Sequence, residues 1–304
     1  MITNIAALYF EPNLEWVDGE SLEYFKALNK ILPVINLIPD TDRAEIDQAK
    51  CNILIDWYSE KWKPLLPYRL TSTVPQPNAL LLHHSGNKDL DQAALSYDHV
   101  FCAQYADFLA LKITDAHKTW LPCAVDTDIY RKGIWDGSYW QSVAAPKKWD
   151  ICFIGSICEE PSSMGSSRLQ LLDAAFSTFP NFYFGMRTAQ DPTYCVYQDA
   201  AYKYNQSRIV INCSRADRLE RRVFEALATG SLLITNEVAK LNELFVDGKE
   251  LVTYRSIPEA LNKIAYYLEH QDEATKIAEA GYELVRSKHT YRNRVLELKN
   301  RLNI

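Results

Sequence analysis

The sequence predicts an α/β protein built from two doubly wound domains. Three observations carry this expectation. The chain has 304 residues, enough for two domains of ordinary size, each with its own core. Short, continuous apolar runs alternate with stretches of helical period along almost the whole length, the order expected of βαβ units. One aperiodic stretch, 123–148, interrupts that order near the middle. It holds Asp126, Asp128, Gly133, Gly137 and Pro146, and it sets the boundary. The expected layout is a first domain over 1–125, a linker over 126–148, a second domain over 149–290 and a final helix over 291–304.

In the first half, strands are expected over 2–8, 34–38, 51–57, 79–82, 99–103 and 119–121. Helical period appears between several of them, over 20–30, 43–50 and 88–96. Their apolar residues run on without alternation, as in parallel strands buried on both faces. In the second half the strands are 149–154, 182–184, 208–213, 231–235 and 251–254. The helices are 167–178, 218–229, 238–245, 257–270, 273–287 and 291–302. In such a sheet, ligands are expected beyond the carboxyl ends of the strands.

An apolar fraction of 47% with 24% charged residues is that of a folded globular chain and excludes extended disorder. A net charge of −6 gives no support to nonspecific nucleic-acid binding, and the first half has no dense Lys/Arg cluster that a nucleic-acid groove would need. No stretch approaches the roughly 18–20 apolar residues that span a bilayer. The first ten residues read as a strand, not a signal peptide. A cytoplasmic protein is therefore expected. The seven cysteines are odd in number and contain no Cys-x-x-Cys, so they read as core residues, with neither a disulfide framework nor a zinc site.

The informative segment runs from Ile209 to Gly230. A buried strand ends near Asn212, a short polar loop carries Ser214 and Arg215, and a helix is expected from about Asp217. Asp217 with Glu220 three residues on fits a capping box. Val223, Phe224, Leu227 and Ala228 form the apolar stripe of that helix. Arg218, Arg222 and Glu225 share another face. Arg218, Arg221 and Arg222 crowd its start, where the helix dipole disfavours cations by about 0.3–1 kcal/mol each. A bound anion would reverse that penalty, making a diphosphate site of guanidinium and backbone N–H groups. A solvated basic face fits the same residues, as does an ion pair of Glu225 with Arg221.

Glu225-Ala-Leu-Ala-Thr-Gly230 resembles the donor-site run of GT-B glycosyltransferases. Asp217, eight residues before Glu225, has the spacing of the paired acids in many retaining enzymes of that fold, with Asp in place of the more usual Glu. Asn212, Arg222, Phe224, Glu225 and Gly230 are similar to the pattern of the CgeB-like, spore-maturation type within the "glycosyl transferases group 1" set. So are Leu233-Ile-Thr-Asn236, Leu244-Phe-Val-Asp-Gly248, Tyr266-Tyr-Leu-Glu-His270 and His289-Thr-Tyr-Arg292. Together they cover about 150–292. Tyr97-Asp-His-Val-Phe101, Ala103-Gln104 and Trp120-Leu-Pro-Cys-Ala-Val-Asp126 match less firmly. The resemblance implies the GT-B architecture, two Rossmann-like domains facing each other across a cleft, acceptor side first and donor side second.

It also implies a glycosyltransferase that takes its sugar from a UDP- or GDP-linked donor, with no separate cofactor, no essential metal and an unidentified acceptor. Glu225 is expected on the ribose hydroxyls, and Arg222 with the Ser214–Arg215 loop on the diphosphate, among donor contacts that include Asn212 and Phe224. Gly155 and Ser156, after the first strand of the second domain, face the same place, where Gly155 permits close backbone approach or makes a plain turn. Arg187, after the next strand, suits a phosphate, a base or the surface. His83 and His84 end a strand of the first half, where a structural role fits them as well; His84 is the candidate general base, which a retaining enzyme does not require, and Asp217 the second catalytic candidate. The aromatic group Trp57, Tyr58, Trp62 and Tyr68 suits sugar stacking or loop packing. Asp40-Thr-Asp42 and Asp126-Thr-Asp128 read as turns in preference to metal sites. A binding protein that has lost turnover, or a sugar-nucleotide epimerase, fits the same motifs.

Overall fold

The computed structural model describes residues 5–8, 27, 30–31, 34–37, 53–58, 78–82, 94–95, 97–157, 163–187, 191–214 and 217–303. His83, His84, Arg215, Trp62, Tyr68, Asp40 and Asp42 lie outside these residues, as does most of the three helical stretches expected before residue 97. The chain divides into two compact units, Met1–Cys123 with Tyr291–Ile304, and Ala124–Thr290.

The first unit holds a six-stranded sheet of β1 (Ile5–Leu8), β2 (Val34–Leu37), β3 (Ile53–Tyr58), β4 (Asn78–Leu82), β5 (His99–Cys102) and β6 (Lys118–Trp120). Its order is β2-β1-β3-β4-β5-β6, and every pair is parallel. Ala79, Leu80, Leu82, Val100, Phe101 and Cys102 are all but fully buried. Successive strand residues point to opposite faces, so burial without alternation means that both faces are covered. Helix α1 (Tyr105–Ala110) and a 3-10 turn (Asp115–His117) link β5 to β6.

The second unit begins with a two-stranded antiparallel ribbon, β7 (Ile134–Trp135) and β8 (Trp140–Gln141). This ribbon lies in the stretch that composition alone marks as a linker. Its sheet comprises β9 (Trp149–Ile154), β10 (Phe182–Gly185), β11 (Ser207–Asn212), β12 (Leu232–Asn236) and β13 (Val252–Tyr254). The order is β10-β9-β11-β12-β13, again all parallel. Ile151 and Phe153 face the main apolar cluster with Ile209, Ile211, Leu232 and Ile234. Their neighbours Cys152, Ile154, Val210 and Leu233 are equally buried on the other face.

The helices are α2 (Ser163–Thr178), α3 (Tyr197–Asn205), α4 (Arg221–Leu227), α5 (Leu241–Leu244), α6 (Ile257–Glu269), α7 (Gln271–Lys288) and α8 (Tyr291–Leu302). Ser256 caps α6, its hydroxyl accepting the Glu259 N–H at 3.3 Å. Helix α8 groups with the first unit, where Arg294 donates from Nε to the Pro122 carbonyl at 2.7 Å and from a terminal nitrogen to the Cys123 carbonyl at 3.2 Å.

Helix α4 departs from expectation. It begins at Arg221, not near Asp217, and Glu220 is its extended N-cap residue with no side-chain cap. The Asp217 carboxylate instead accepts the Ala239 N–H at 2.5 Å, so there is no capping box. Arg218 precedes the helix and shares no helical face with Arg222 and Glu225. Tertiary partners for both acids win over the local cap. At the far end Gly230 adopts φ +70°, the left-handed turn that closes a helix.

Candidate functional site

The strand order of the second sheet reverses between β9 and β11, because β10 leaves on one side and β12 on the other. The carboxyl ends of those two strands therefore flank the crevice where an open α/β sheet binds ligands. Ile154, Gly155 and Ser156 close β9, and Asn212, Cys213 and Ser214 close β11. Most of the expected donor-side residues fall there, and the structure shows what holds them.

Two arginines lie buried beneath these loops. Arg222 is 5% exposed, donates from Nε to the Ile154 carbonyl at 2.6 Å and from a terminal nitrogen to Asn212 Oδ1. Its guanidinium stands 4.4 Å from the Phe153 ring centre. Arg168, from α2, is 3% exposed. It donates to the Cys213 carbonyl from Nε at 2.7 Å, to the Ser156 carbonyl at 2.9 Å and to Glu220 at 2.7 Å. Glu220 also approaches Arg222 at 3.4 Å. Burial presses the Arg222 guanidinium below its ordinary pKa, and Glu220 opposes that shift. Two cations and one carboxylate leave an excess of positive charge under the two loops.

Around this centre, Asn212 is fully buried and donates from Nδ2 to Ser214 Oγ at 3.0 Å and Thr235 Oγ1 at 2.9 Å. The Ser214 N–H donates to Asn236 Oδ1 at 2.7 Å, and the Tyr254 hydroxyl to the Asn212 carbonyl at 2.8 Å. The Gly155 N–H donates to the Gly185 carbonyl at 2.9 Å. A side chain at 155 would put its Cβ 2.0 Å from an Arg222 terminal nitrogen. Glycine is required there by the buried arginine. The N–H groups of Gly155 and Ser214 are thus both already paired.

Two further expectations change. Arg222 is not part of a solvent-facing basic stripe; it ties β9 and β11 together from inside. Phe224 is fully buried and packs among Phe245 and His289, with ring centres 5.7 Å away in each case. Phe224 is a packing residue, because no part of its ring reaches a surface. Asp217 is exposed ahead of α4, whereas Glu225 is buried in its middle and paired with Arg187, not with Arg221 as the helix spacing suggested. Burial alone would raise the Glu225 carboxyl; Arg187 and Arg221 outweigh it and hold the group below the usual glutamate range. Asp126 Oδ1 accepts the Asp128 N–H at 2.8 Å, a turn contact. Among the described residues no group of three or more His, Cys, Asp or Glu is placed to hold a metal ion.

Arg168, Glu220, Asn236 and Tyr254 were not legible as site residues. Their partners lie on elements distant in sequence, and the motifs that contain Glu220 and Asn236 give neither of them a site role.

The architecture is that of GT-B glycosyltransferases. The chain superimposes over 100% of its length on 100% of HepE from Anabaena, solved with UDP and glucose, with a TM-score of 0.70 and 12% identity. It matches sucrose-phosphate synthase from Thermosynechococcus elongatus over 98% of each chain, with a TM-score of 0.70 and 12% identity. A glycosyltransferase from Rickettsia africae matches over 99% of each chain, with a TM-score of 0.60 and 13% identity. Residues 183–300 match the family described as "Glycosyl transferase-like". The fold is therefore the GT-B fold that the motifs implied, and the family match lies within the C-terminal part of the chain. No curated protein matches the chain by sequence. No described helix is long and apolar enough to cross a membrane.

Proposed function

We propose that the protein transfers a sugar from a nucleotide-diphosphate sugar to an acceptor hydroxyl, with the donor seated at the carboxyl edge of the second sheet. The supporting observation is the buried Arg168–Glu220–Arg222 cluster at the strand-order reversal, which rigidly holds the 155–156 and 213–214 loops and leaves a net cation beneath them. As the bond between sugar and diphosphate breaks, negative charge grows on the leaving group. Fixed positive charge in a low-dielectric site stabilises that growth without reorganising.

In this reading Glu225 accepts hydrogen bonds from the ribose diol, and Arg187 with the Ser156 and Ser214 hydroxyls meets the diphosphate. Arg222 and Asn212 act through position, and Arg215 belongs to the loop over the phosphates. Asp217 contacts the transferred sugar, and His84 receives the acceptor proton if configuration inverts. UDP-glucose is the first donor to test, because HepE has been solved with it. The reaction runs without an essential metal.

The test is thermal unfolding with UDP, GDP, UDP-glucose and GDP-glucose, followed by product analysis of the stabilising donor, with and without EDTA. Stabilisation by a nucleoside diphosphate and sugar release or transfer that survives EDTA are expected. No stabilisation by any of the four overturns the donor site; turnover abolished by EDTA and restored by a divalent cation overturns the metal-free mechanism.

A further inference from the structure

Arg187, just beyond β10, donates one terminal N–H to Glu225 Oε1 at 3.4 Å and the other to Oε2. Both carboxylate oxygens are thus engaged by one planar fork. The Glu225 side chain is 4% exposed and that of Arg187 18%. The arginine is the more accessible partner, and the carboxylate is enclosed while the pair holds. A ribose recognised through its vicinal hydroxyls presents the same pattern, two donors to two carboxylate oxygens. Such a diol has no way onto Glu225 until the guanidinium leaves.

Arg187 is also incompletely satisfied where it is. Its Nε is buried and has no hydrogen-bond partner among the described residues. The hydroxyl of Tyr204, itself fully buried, is in the same position, and Tyr130, Tyr204 and Glu225 all act electrostatically on Arg187. A cation with an unpaired donor in a low-dielectric pocket gains by moving to an anion that takes its whole fork. A diphosphate is such an anion; a bare nucleoside offers none.

We infer that Arg187 is a latch on the ribose site: its guanidinium closes Glu225, and the diphosphate of the donor draws it off so that the ribose takes its place. The inference rests on the donor reading of Glu225 given above. It makes the diphosphate the key that opens the nucleoside pocket, and so makes the site select nucleoside diphosphates over nucleosides.

The experiment measures binding of uridine and UDP, with guanosine and GDP as a second pair, to the full chain and to Arg187→Gln and Arg187→Lys. Calorimetry reads affinity, and far-UV circular dichroism checks that each variant is folded. Removing an intramolecular competitor should tighten uridine, or guanosine, at least about tenfold in Arg187→Gln, by the fraction of sites that the latch keeps closed. The diphosphate should bind that variant more weakly than it binds the unaltered chain. Arg187→Lys, which keeps the charge but loses the fork, should lie between them, and it carries the test should the Gln variant not fold. A nucleoside affinity that is unchanged or lower in the folded variants, with the unaltered chain still binding its nucleoside diphosphate, overturns the latch and leaves the donor site standing. An unaltered chain that binds neither UDP nor GDP overturns both.

Discussion

Gly155 needs no unusual backbone torsion, yet a methyl group there would stand 2.0 Å from the Arg222 guanidinium and 3.1 Å from the Phe153 ring. Arg222 has little freedom to yield, since two of its nitrogens are bound to Ile154 and Asn212. Gly155→Ala should therefore cost about 1–3 kcal/mol, and it should weaken nucleoside diphosphate binding by displacing the loop. Chemical denaturation and calorimetry on the same variant check both effects; an unshifted midpoint would mean that Arg222 moves aside freely. A second residue, His99 in β5, should make stability depend on pH. It is 8% exposed and hydrogen-bonded to Thr119 Oγ1 at 2.9 Å. Burial first, then the charges of Arg301 and His117, hold its pKa down to about 4. The unfolded chain takes up this proton near pH 6.5 and the folded chain does not. Stability should therefore be complete above about pH 6.5, fall as the pH drops, and be about 3 kcal/mol lower below about pH 4. Unfolding curves between those limits should lose that slope in His99→Asn.

At the scale of elements, periodicity reveals what is locally determined. Residues 149–154 form a strand and 291–302 a helix with the expected bounds, because their apolar residues are periodic or continuous and their ends are marked. Helix α3 carries no such signal: its buried face is Ala200, Ala201, Tyr204 and Asn205, two small residues, one aromatic and one amide that make no apolar stripe. The helix expected over 218–229 begins later, at Arg221, for a different reason. Glu220 and Asp217 look like a local cap, but their carboxylates are taken by Arg168 and by the Ala239 N–H. Gly281, in the middle of α7, is another feature with no sequence signal. A Cβ there would meet the Glu250 carbonyl oxygen at 2.2 Å and Leu227 Cδ2 at 2.8 Å, so the glycine lets α7 lie against α4 and the turn before β13. Backbone cannot step aside as a side-chain tip can. Gly281→Ala should lower stability by about 2–3 kcal/mol, read as a fall in melting temperature, while an exposed helical position in α7, such as Glu279→Ala, should change it far less.

At the scale of the whole molecule, both sheets reverse strand order beside their first strand, and in the second the reversal coincides with the buried arginines. The place of the candidate site was readable because Ser156, Asn212 and Ser214 lie at or just beyond strand ends, and the carboxyl ends of parallel strands are where ligands are expected. The roles within it were less so. Arg222 and Phe224 belong to the same motif as Glu225, yet one is bound to main-chain and side-chain oxygens of the sheet and the other to an aromatic core. The second unit also has a cavity of about 240 Å³ among Lys132, Lys147, Arg208, Thr229, Gly230 and Glu279, beside the amino ends of β11 and β12, which only the last two residues of the donor run reach. Hydrogen–deuterium exchange of the full chain with and without UDP-glucose separates the two places directly. Slowed exchange is expected in 153–157, 212–214 and 217–227, with 132–147 and 271–279 unchanged. Protection confined to the cavity segments, or none anywhere, would contradict it.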